Sequence, residues 1–355
     1  MRTLVALLML MVTPMSSAAT FVYVSMAPEQ KIQIYRLDQE TGSLTVVETV
    51  AVNGAPGSLN ADPHKRFLFA SLRTTSSLAS FRIDQSSGKL TPINVAELPK
   101  GENAAFVTTD RTGRWLLSAS YLAGTVVVHR IRDDGTIEVP AVQTIVTAKT
   151  AHCVAFDRKN NFAFVPHVAP NAVYQFRLED ATGKLIDAGQ VRGGTDKAGP
   201  RHLALHPQQD MAYTSDESGS SITGYRLDSV NGLTPIQTLS TLPAEFQGRN
   251  STAEVKVHPT GKHVWVSNRG HDSLAGFSID PDSGLLSALG QTATETTPRS
   301  FEIDPSGRYL FSAGEGSGKL AVFRIDAGSG RLDRIQTYDV GTSLTWVVSI
   351  DVPND

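Results

Sequence analysis

The sequence predicts an all-β protein, a seven-bladed β-propeller whose blades each contain four antiparallel strands. Three observations predict it: a phrase that recurs at near-fixed spacing, four short strand patterns in each repeat, and no helical periodicity between them. The clearest phrase, at 199–207 (GPRHLALHP), alternates apolar and polar residues and ends in a residue that we call the closing residue. Closing residues are Asp or His and lie 46 to 52 residues apart: Asp62, Asp110, Asp157, His206, His258, Asp304 and Asp351.

Residues 1–19 are predicted to be a secretory signal peptide rather than part of the fold. Arg2 precedes an apolar run at 4–12, and small residues at 16–19 suit cleavage after Ala19. The apolar run is too short for an ordinary transmembrane helix, although a retained anchor is the alternative. We therefore expect one propeller domain over residues 20–355, periplasmic or secreted, with no membrane span after processing.

Composition excludes several classes of partner and bond. The net charge is −3, with 32 basic and 35 acidic residues mixed along the chain, and no basic stripe points to nucleic acid. Cys153 is the only cysteine, so no internal disulfide can form. We expect a monomer that is stabilised by packing alone.

The second repeat shows the plan of one blade. Four stretches with strand patterns follow each other, separated by turn residues: 58–62, 66–71, 77–84 and 90–98. Pro92 lies inside the fourth stretch, and because proline cannot donate to a sheet ladder, this strand is predicted to be at an edge.

The third strands of the repeats agree best with one another. Each has a large ring at the same place, which we interpret as core packing: Tyr35, Phe81, His129, Phe176, Tyr225, Phe277 and Phe323. His129 is therefore interpreted as a core histidine rather than a ligand. Arginine follows the ring in six of the seven, and this repetition also indicates a structural role. A glycine comes soon after, at turns where a positive φ is needed: Gly42, Gly88, Gly135, Gly183, Gly232, Gly284 and Gly330.

The two ends of the chain are out of phase with the blades. Residues 20–26 resemble a second strand, and residues 344–351 (LTWVVSID) resemble a first strand. We therefore predict that the C-terminal strand joins the N-terminal blade and closes the ring, which removes an exposed sheet edge.

Positions at which the residue differs between repeats are candidates for function. The rim position, five residues before each closing residue, is occupied by Gly57, Ala105, His152, Arg201, Ala253, Arg299 and Trp346. The second rim position, eleven residues after the closing residue, carries Glu217 in the same repeat as Arg201. Antiparallel pairing places both positions at one mouth of the central channel, where polar groups from several blades can converge on a ligand. Taken singly, Arg201–Glu217 could be a surface ion pair and His152 a rim histidine.

These residue types suit acid–base chemistry on an oxygen-rich ligand. Arg201 and Arg299 would bind carboxylate, phosphate or ester oxygens and would repel a cation, so neither a metal nor a cofactor is expected. Histidine ordinarily titrates near neutral pH, so we expect that His152, with Glu217, could take a proton from water or substrate. The chain contains no G-x-S-x-G, H-E-x-x-H or Walker motif, so covalent serine chemistry is not indicated.

Several segments carry a resemblance to a known family. TAHCVAFD (150–157), GPRHLALHP, YTSDESGSSI (213–222) and TPRSFEIDPSGRYL (297–310) resemble motifs of the seven-bladed propeller lactonases. That family includes propeller-type 6-phosphogluconolactonases and 3-carboxy-cis,cis-muconate lactonizing enzymes, and the resemblance covers essentially all of 20–355. It implies an active-site quartet of His152 and Glu217 as catalytic residues with Arg201 and Arg299 as substrate binders.

The resemblance leaves the exact reaction open. It implies hydrolysis of an anionic or polyhydroxylated sugar lactone, and an export signal favours a non-phosphorylated substrate, since the phosphorylated lactone arises in the cytoplasm. One alternative is a muconate-type cycloisomerase that uses the same quartet without water. The other is a non-catalytic periplasmic propeller that binds a ligand or a protein.

Overall fold

The computed structural model describes residues 18–352, which form twenty-eight strands in seven four-stranded antiparallel sheets. The predicted seven-bladed propeller is confirmed. The predicted signal peptide falls almost wholly outside the described residues, and its last residue, Ala19, is the first residue of strand β1. Within residues 18–352, no helix is long and apolar enough to cross a membrane.

Each blade has an inner, a second, a third and an outer strand, hydrogen-bonded in that order. Blade 1 consists of β28 (Leu344–Val352), β1 (Ala19–Met26), β2 (Lys31–Leu37) and β3 (Leu44–Ala51). Blade 2 consists of β4 (Pro56–Ala61), β5 (Phe67–Leu72), β6 (Ser77–Ile83) and β7 (Leu90–Glu97). Blade 3 consists of β8 (Ala104–Thr109), β9 (Trp115–Ser120), β10 (Thr125–Arg130) and β11 (Gln143–Val146). Blade 4 consists of β12 (Ala155–Phe156), β13 (Phe162–His167), β14 (Ala172–Glu179) and β15 (Lys184–Arg192).

The remaining three blades follow the same plan. Blade 5 consists of β16 (Pro200–Leu205), β17 (Met211–Asp216), β18 (Ser221–Asp228) and β19 (Gly232–Ser240). Blade 6 consists of β20 (Thr252–Val257), β21 (His263–Asn268), β22 (Ser273–Ile279) and β23 (Leu286–Ala293). Blade 7 consists of β24 (Pro298–Ile303), β25 (Tyr309–Gly314), β26 (Lys319–Ile325) and β27 (Leu332–Asp339). Inner strands of neighbouring blades contact each other, as β4 contacts β8 and β28, so they surround a central channel.

Ring closure occurs as the sequence predicts. β28 pairs with β1 from Ala19 opposite Val352 to Met26 opposite Leu344, so the C-terminal strand is the inner strand of blade 1. The Thr20 hydroxyl also donates to Asp351 Oδ1 over 2.5 Å, which joins the two ends of the chain by a side-chain bond. The ring is therefore closed by hydrogen bonds along a whole strand.

In blades 2 to 7, the closing residue organises the turn between the inner and second strands. Asp110 accepts hydrogen bonds from the backbone N–H groups of Thr112, Arg114 and Trp115 at 2.9–3.0 Å. His206 does the same through Nδ1, which accepts from two N–H groups in its turn. Asp and His replace each other at this position because each offers an acceptor to the same backbone donors. Their recurrence is thus explained by turn formation.

The recurring rings and glycines are explained by packing between blades. The third-strand rings are all buried, including His129, which is 1% exposed and whose pKa burial lowers to about 4. Gly88 and Gly183 have φ of +70° and +74°, and a Cβ there would clash with the rings of Phe21 and Trp115. Glycine is therefore required both by the turn and by the aromatic side chain of the neighbouring blade.

The recurring arginines bridge neighbouring blades. The guanidinium of Arg177 lies 3.7 Å from the centre of the Phe162 ring, and its Nη2 donates to the carbonyl oxygens of Ser229 and Val230 in the next blade. Arg82 lies over Phe67 in the same way. These contacts support the structural interpretation of the series.

Candidate active site

Local hairpin geometry places Arg201 beside Glu217. β16 and β17 pair with Pro200 opposite Asp216, and the Glu217 N–H donates to the Gly199 carbonyl over 2.8 Å. Arg201 and Glu217 follow these partners on opposite strands, so they lie diagonally across the pair at one mouth of the channel. Arg201 Nε lies 3.2 Å from Glu217 Oε2.

A β-bulge directs the rim arginines away from the regular ladder. The register of β16 shifts between Pro200 and His202, which makes Arg201 the extra residue, and β24 shifts in the same way around Arg299. Blades 2, 3 and 6 show a register shift at the same position, so this bulge is a feature of the repeat that re-aims whichever side chain is present. Arg299 Nη1 then lies 3.5 Å from Oε2 of Glu315, which occupies the second rim position of blade 7.

His152 lies at the mouth because the inner strand of its blade is interrupted. The inner strand of blade 4 is reduced to Ala155–Phe156, with one isolated bridge between Ala151 and His167. His152 lies in the gap, where its N–H donates to the Pro166 carbonyl over 3.1 Å. The hydrogen-bond ladder of blade 4 is therefore interrupted at His152, the rim residue that the sequence analysis identified.

The ion pairs at this mouth form a partly buried network. Glu217 is held by two arginines, because Arg269 Nη2 lies 2.9 Å from Glu217 Oε1 while Arg201 contacts Oε2. The side chain of Arg201 is 1% exposed and that of Glu217 is 22% exposed, so this is not a surface ion pair. Burial lowers the pKa of Arg201 to about 9, and the charges of Arg269 and Arg299 act in the same direction.

Positive charge exceeds negative charge at the mouth. Arg73 belongs to it too, since its pKa is lowered by burial and then by the nearby charge of Arg299. Its Nε donates to Asn103 Oδ1 over 3.0 Å. The charged groups are four arginines and two glutamates: Arg73, Arg201, Arg269, Arg299, Glu217 and Glu315. Such a mouth attracts an anionic or oxygen-rich ligand.

His152 is a buried, neutral imidazole at this mouth. Its Nδ1 lies 3.2 Å from His202 Nε2, and its ring packs edge-on against Tyr121 with the centres 5.4 Å apart. Burial, followed by the charge of Arg201, lowers the His152 pKa well below its usual value of 6.5. Nε2 has no hydrogen-bond partner within residues 18–352 and is not among the fully buried unpartnered atoms. A neutral histidine with an open nitrogen is equipped to accept a proton.

Three rings close the channel beneath the mouth. Phe106, His202 and Trp346 come from blades 3, 5 and 1, and their ring centres are separated by 5.4, 5.5 and 5.6 Å. We call this triangle the channel floor. The mouth is therefore a pocket with charged groups on its walls and a mostly apolar base.

Two buried residues at this depth were missed by the sequence analysis. His202 Nδ1 lies 2.8 Å from Glu254 Oε1, and both side chains are at most 4% exposed. Both residues lie four positions before a closing residue, where other repeats carry Ser58, Phe106, Cys153, Ser300 and Val347. Comparison of the repeats at that position as well would have singled them out.

The structure brings the four predicted residues to one mouth. Arg201 contacts Glu217 directly and reaches His152 through His202, while Arg299 pairs with Glu315. No hydrogen bond joins Glu217 to His152 among the described residues. Their joint role in proton transfer therefore stays a prediction.

The opposite end of the channel also has an opening. A cavity of about 350 Å³, which we call the distal cavity, is lined by the far ends of inner strands and includes Asn60, Thr108 and Leu205. It contains none of the four predicted residues, and it is the natural competitor for a ligand.

Comparison with known proteins gives a consistent family. The family described as "Lactonase, 7-bladed beta-propeller" matches residues 16–349. A 6-phosphogluconolactonase of Yersinia enterocolitica is 34% identical over 332 residues, which is 92% of this chain and 97% of that protein. A 6-phosphogluconolactonase of Enterobacter sp. is 35% identical over 284 residues, 79% of this chain and 84% of that protein.

A solved structure shows the same similarity. The periplasmic gluconolactonase PpgL of Pseudomonas aeruginosa superposes with a TM-score of 0.87 at 26% identity. The match covers 95% of this chain and 100% of that protein.

Proposed function

This chain belongs to the seven-bladed β-propeller lactonases, and we propose that it hydrolyses a sugar lactone at the arginine-lined mouth of its channel. The proposal rests mainly on the state of the His152 side chain. It is a neutral imidazole with an open Nε2 in a buried site whose charged groups are mainly arginines. The lactonase relatives and the neighbouring gluconolactonase structure support the same reaction class.

In the proposed reaction, His152 acts as general base. Its Nε2 takes a proton from water as the water oxygen bonds to the lactone carbonyl carbon. The ring C–O bond then breaks, and the same proton passes from Nε2 to the departing ring oxygen. Ring opening thus yields a hydroxy acid, and a positioned base of this kind typically contributes about 10²–10⁴-fold.

We propose that Arg201 and Arg299 bind the substrate oxygens. Arg299 is the more accessible, with a side chain 21% exposed and only a 3.5 Å contact to Glu315. Arg201 lies deeper: its side chain is 1% exposed, and its Nη2 is fully buried without a hydrogen-bond partner within the described residues. A donor that faces the oxyanion of the tetrahedral intermediate is worth about 3–4 kcal/mol.

Glu217 is proposed to act in the same step. Its two oxygens lie 3.2 Å from Arg201 Nε and 2.9 Å from Arg269 Nη2, so its charge holds both guanidinium groups close together at the mouth. Its negative charge also offsets the positive charge of the arginines, which otherwise disfavours the protonated form of His152. This role does not require a hydrogen bond to His152.

We further propose an aldonolactone as the substrate, met in the periplasm. The excess of arginine suits a ligand with several hydroxyl oxygens or with an anionic group. Residues 1–19 have the pattern of an export signal, and PpgL is described as a periplasmic gluconolactonase. The two alternatives, a cycloisomerase and a non-catalytic binding propeller, have no comparable support.

A panel of lactones tests this proposal. We expect the purified protein to open gluconolactone and its 6-phosphate, measured as acid release, roughly 10²-fold or more above buffer alone. We expect the lower KM for the phosphorylated lactone because the mouth is positively charged. Hydrolysis of no lactone above the buffer rate would overturn the proposed function, and conversion of a muconate without hydrolysis would favour the cycloisomerase.

A further inference from the structure

A line of three buried side chains runs from the mouth into the channel wall. Glu254, His202 and His152 come from the inner segments of blades 6, 5 and 4. Glu254 Oε1 lies 2.8 Å from His202 Nδ1, and His202 Nε2 lies 3.2 Å from His152 Nδ1. All three residues are at most 4% exposed, so water competes little with these bonds.

The partners of His202 determine which of its nitrogens carries the proton. An ionised carboxylate only accepts hydrogen bonds, so Glu254 requires a proton on His202 Nδ1. Arginine only donates, and Arg201 Nη1 lies 3.2 Å from His202 Nε2, which must therefore be the acceptor. Two independent contacts specify the same neutral tautomer.

This tautomer determines the orientation of the proton on His152. His202 Nε2 presents a lone pair, so an unprotonated Nδ1 of His152 at 3.2 Å would bring two lone pairs together. Placing the proton of His152 on Nδ1 makes this contact a hydrogen bond. The lone pair of His152 then lies on Nε2, the open nitrogen.

We propose that Glu254 and His202 are positioning residues that hold His152 in the Nδ1–H tautomer and so present its basic Nε2 to the substrate. This inference rests on the proposed function for its effect on catalysis. Neither residue needs to touch substrate, because Glu254 acts through His202 and His202 acts through His152.

The same line supplies a counter-charge. When Nε2 of His152 accepts a proton, the new positive charge lies near Arg201 and Arg299, which disfavour it. The negative charge of Glu254 acts on it along the line, while the Nδ1 proton stays on His152 because His202 Nε2 faces the Arg201 donor. The positive charge disappears when Nε2 releases its proton to the ring oxygen, so the line ends each cycle unchanged.

A second channel carboxylate provides a matched control. Glu302, on the inner strand of blade 7, pairs with Lys256 Nζ at 2.9 Å and forms no hydrogen bond with either histidine. Glu254→Gln and Glu302→Gln therefore make the same chemical change in neighbouring inner strands. Only the first touches the line to His152.

Nitrogen NMR of the full chain labelled with ¹⁵N-histidine gives a test without activity. We expect His152 and His202 of the wild type to show the Nδ1–H tautomer at neutral pH. An Nε2–H tautomer for His152 would overturn the proposal in the unmodified protein, whether or not any variant folds. This measurement does not depend on activity and can be made even if no lactone is hydrolysed. Failure of the positioning role can therefore be distinguished from failure of the proposed function.

Kinetics give the second test. We expect Glu254→Gln to lower kcat about 10- to 100-fold, by analogy with loss of a carboxylate that orients a metal-bound histidine, with KM changed less than about 3-fold. Glu254→Met, which offers His202 no comparable acceptor, should lower kcat further and change the histidine spectrum. Glu302→Gln should leave the kinetics and the spectrum unchanged. Wild-type kcat in Glu254→Met, or equal losses in both glutamine variants, would overturn the proposal.

Discussion

A chain that ends at Ser343 is expected to lose cooperative folding, because it lacks β28. That strand pairs with the whole length of β1 and buries several large side chains: Leu344, Trp346, Val347, Ile350 and Val352. At about 1.5–3 kcal/mol for each buried apolar side chain, this burial is worth on the order of 10 kcal/mol. A domain of ordinary stability has only about 5–15 kcal/mol in total. The loss should be visible as the absence of a sharp thermal transition in circular dichroism.

The matched control ends at Val352 and keeps all of β28. We expect it to melt as cooperatively as the full chain, while the shorter protein aggregates through the exposed edge of β1. A soluble shorter chain with a melting temperature within a few degrees of the control would show that strand pairing between the termini does not hold the ring together.

The fold could be predicted from the repeat because the repeated residues are the ones that the backbone conformation requires. A closing Asp or His is needed wherever the same turn forms, and a glycine such as Gly88 is needed wherever a positive φ meets a neighbouring ring. The turn forms in six blades and the positive-φ glycine occurs in all seven repeats, so repeated copies reveal both requirements in one sequence. Pro92 was likewise informative, since β7 is the outer strand of its blade.

The candidate site was only partly accessible from sequence. Comparison of the repeats at two positions located the mouth, but it could not show that Glu217 bridges Arg201 and Arg269, which come from blades 5 and 6. The bulge at Arg201 leaves no mark in the alternation of apolar residues. The pairing of His202 with Glu254 crosses between blades over 52 residues, and no local pattern encodes such a contact.

His152→Asn is expected to lower kcat for lactone hydrolysis by about 10²–10⁴-fold, because it removes the base at Nε2. The amide nitrogen of the introduced side chain can replace Nδ1–H as a donor to His202, so the contact behind the ring is kept. KM should change little, since a base acts mainly in the transition state. Steady-state kinetics above the spontaneous rate measure both constants.

Thermal melting distinguishes this loss from unfolding. The rim position holds Gly57 and Ala105 in other blades, which indicates that the scaffold accepts small side chains there. We therefore expect the variant to melt within a few degrees of the wild type. Full activity in a folded variant, or activity lost only together with the thermal transition, would make His152 a structural residue.

The most direct test of the central claim is a crystal structure of the protein with bound gluconate, the ring-opened product. The account predicts the sugar acid in the mouth above the channel floor, with its carboxylate within about 3 Å of the Arg299 guanidinium and the hydroxyl formed from the ring oxygen within about 3 Å of His152 Nε2. Gluconate ordered in the distal cavity, with the mouth empty at saturating concentration, would contradict it.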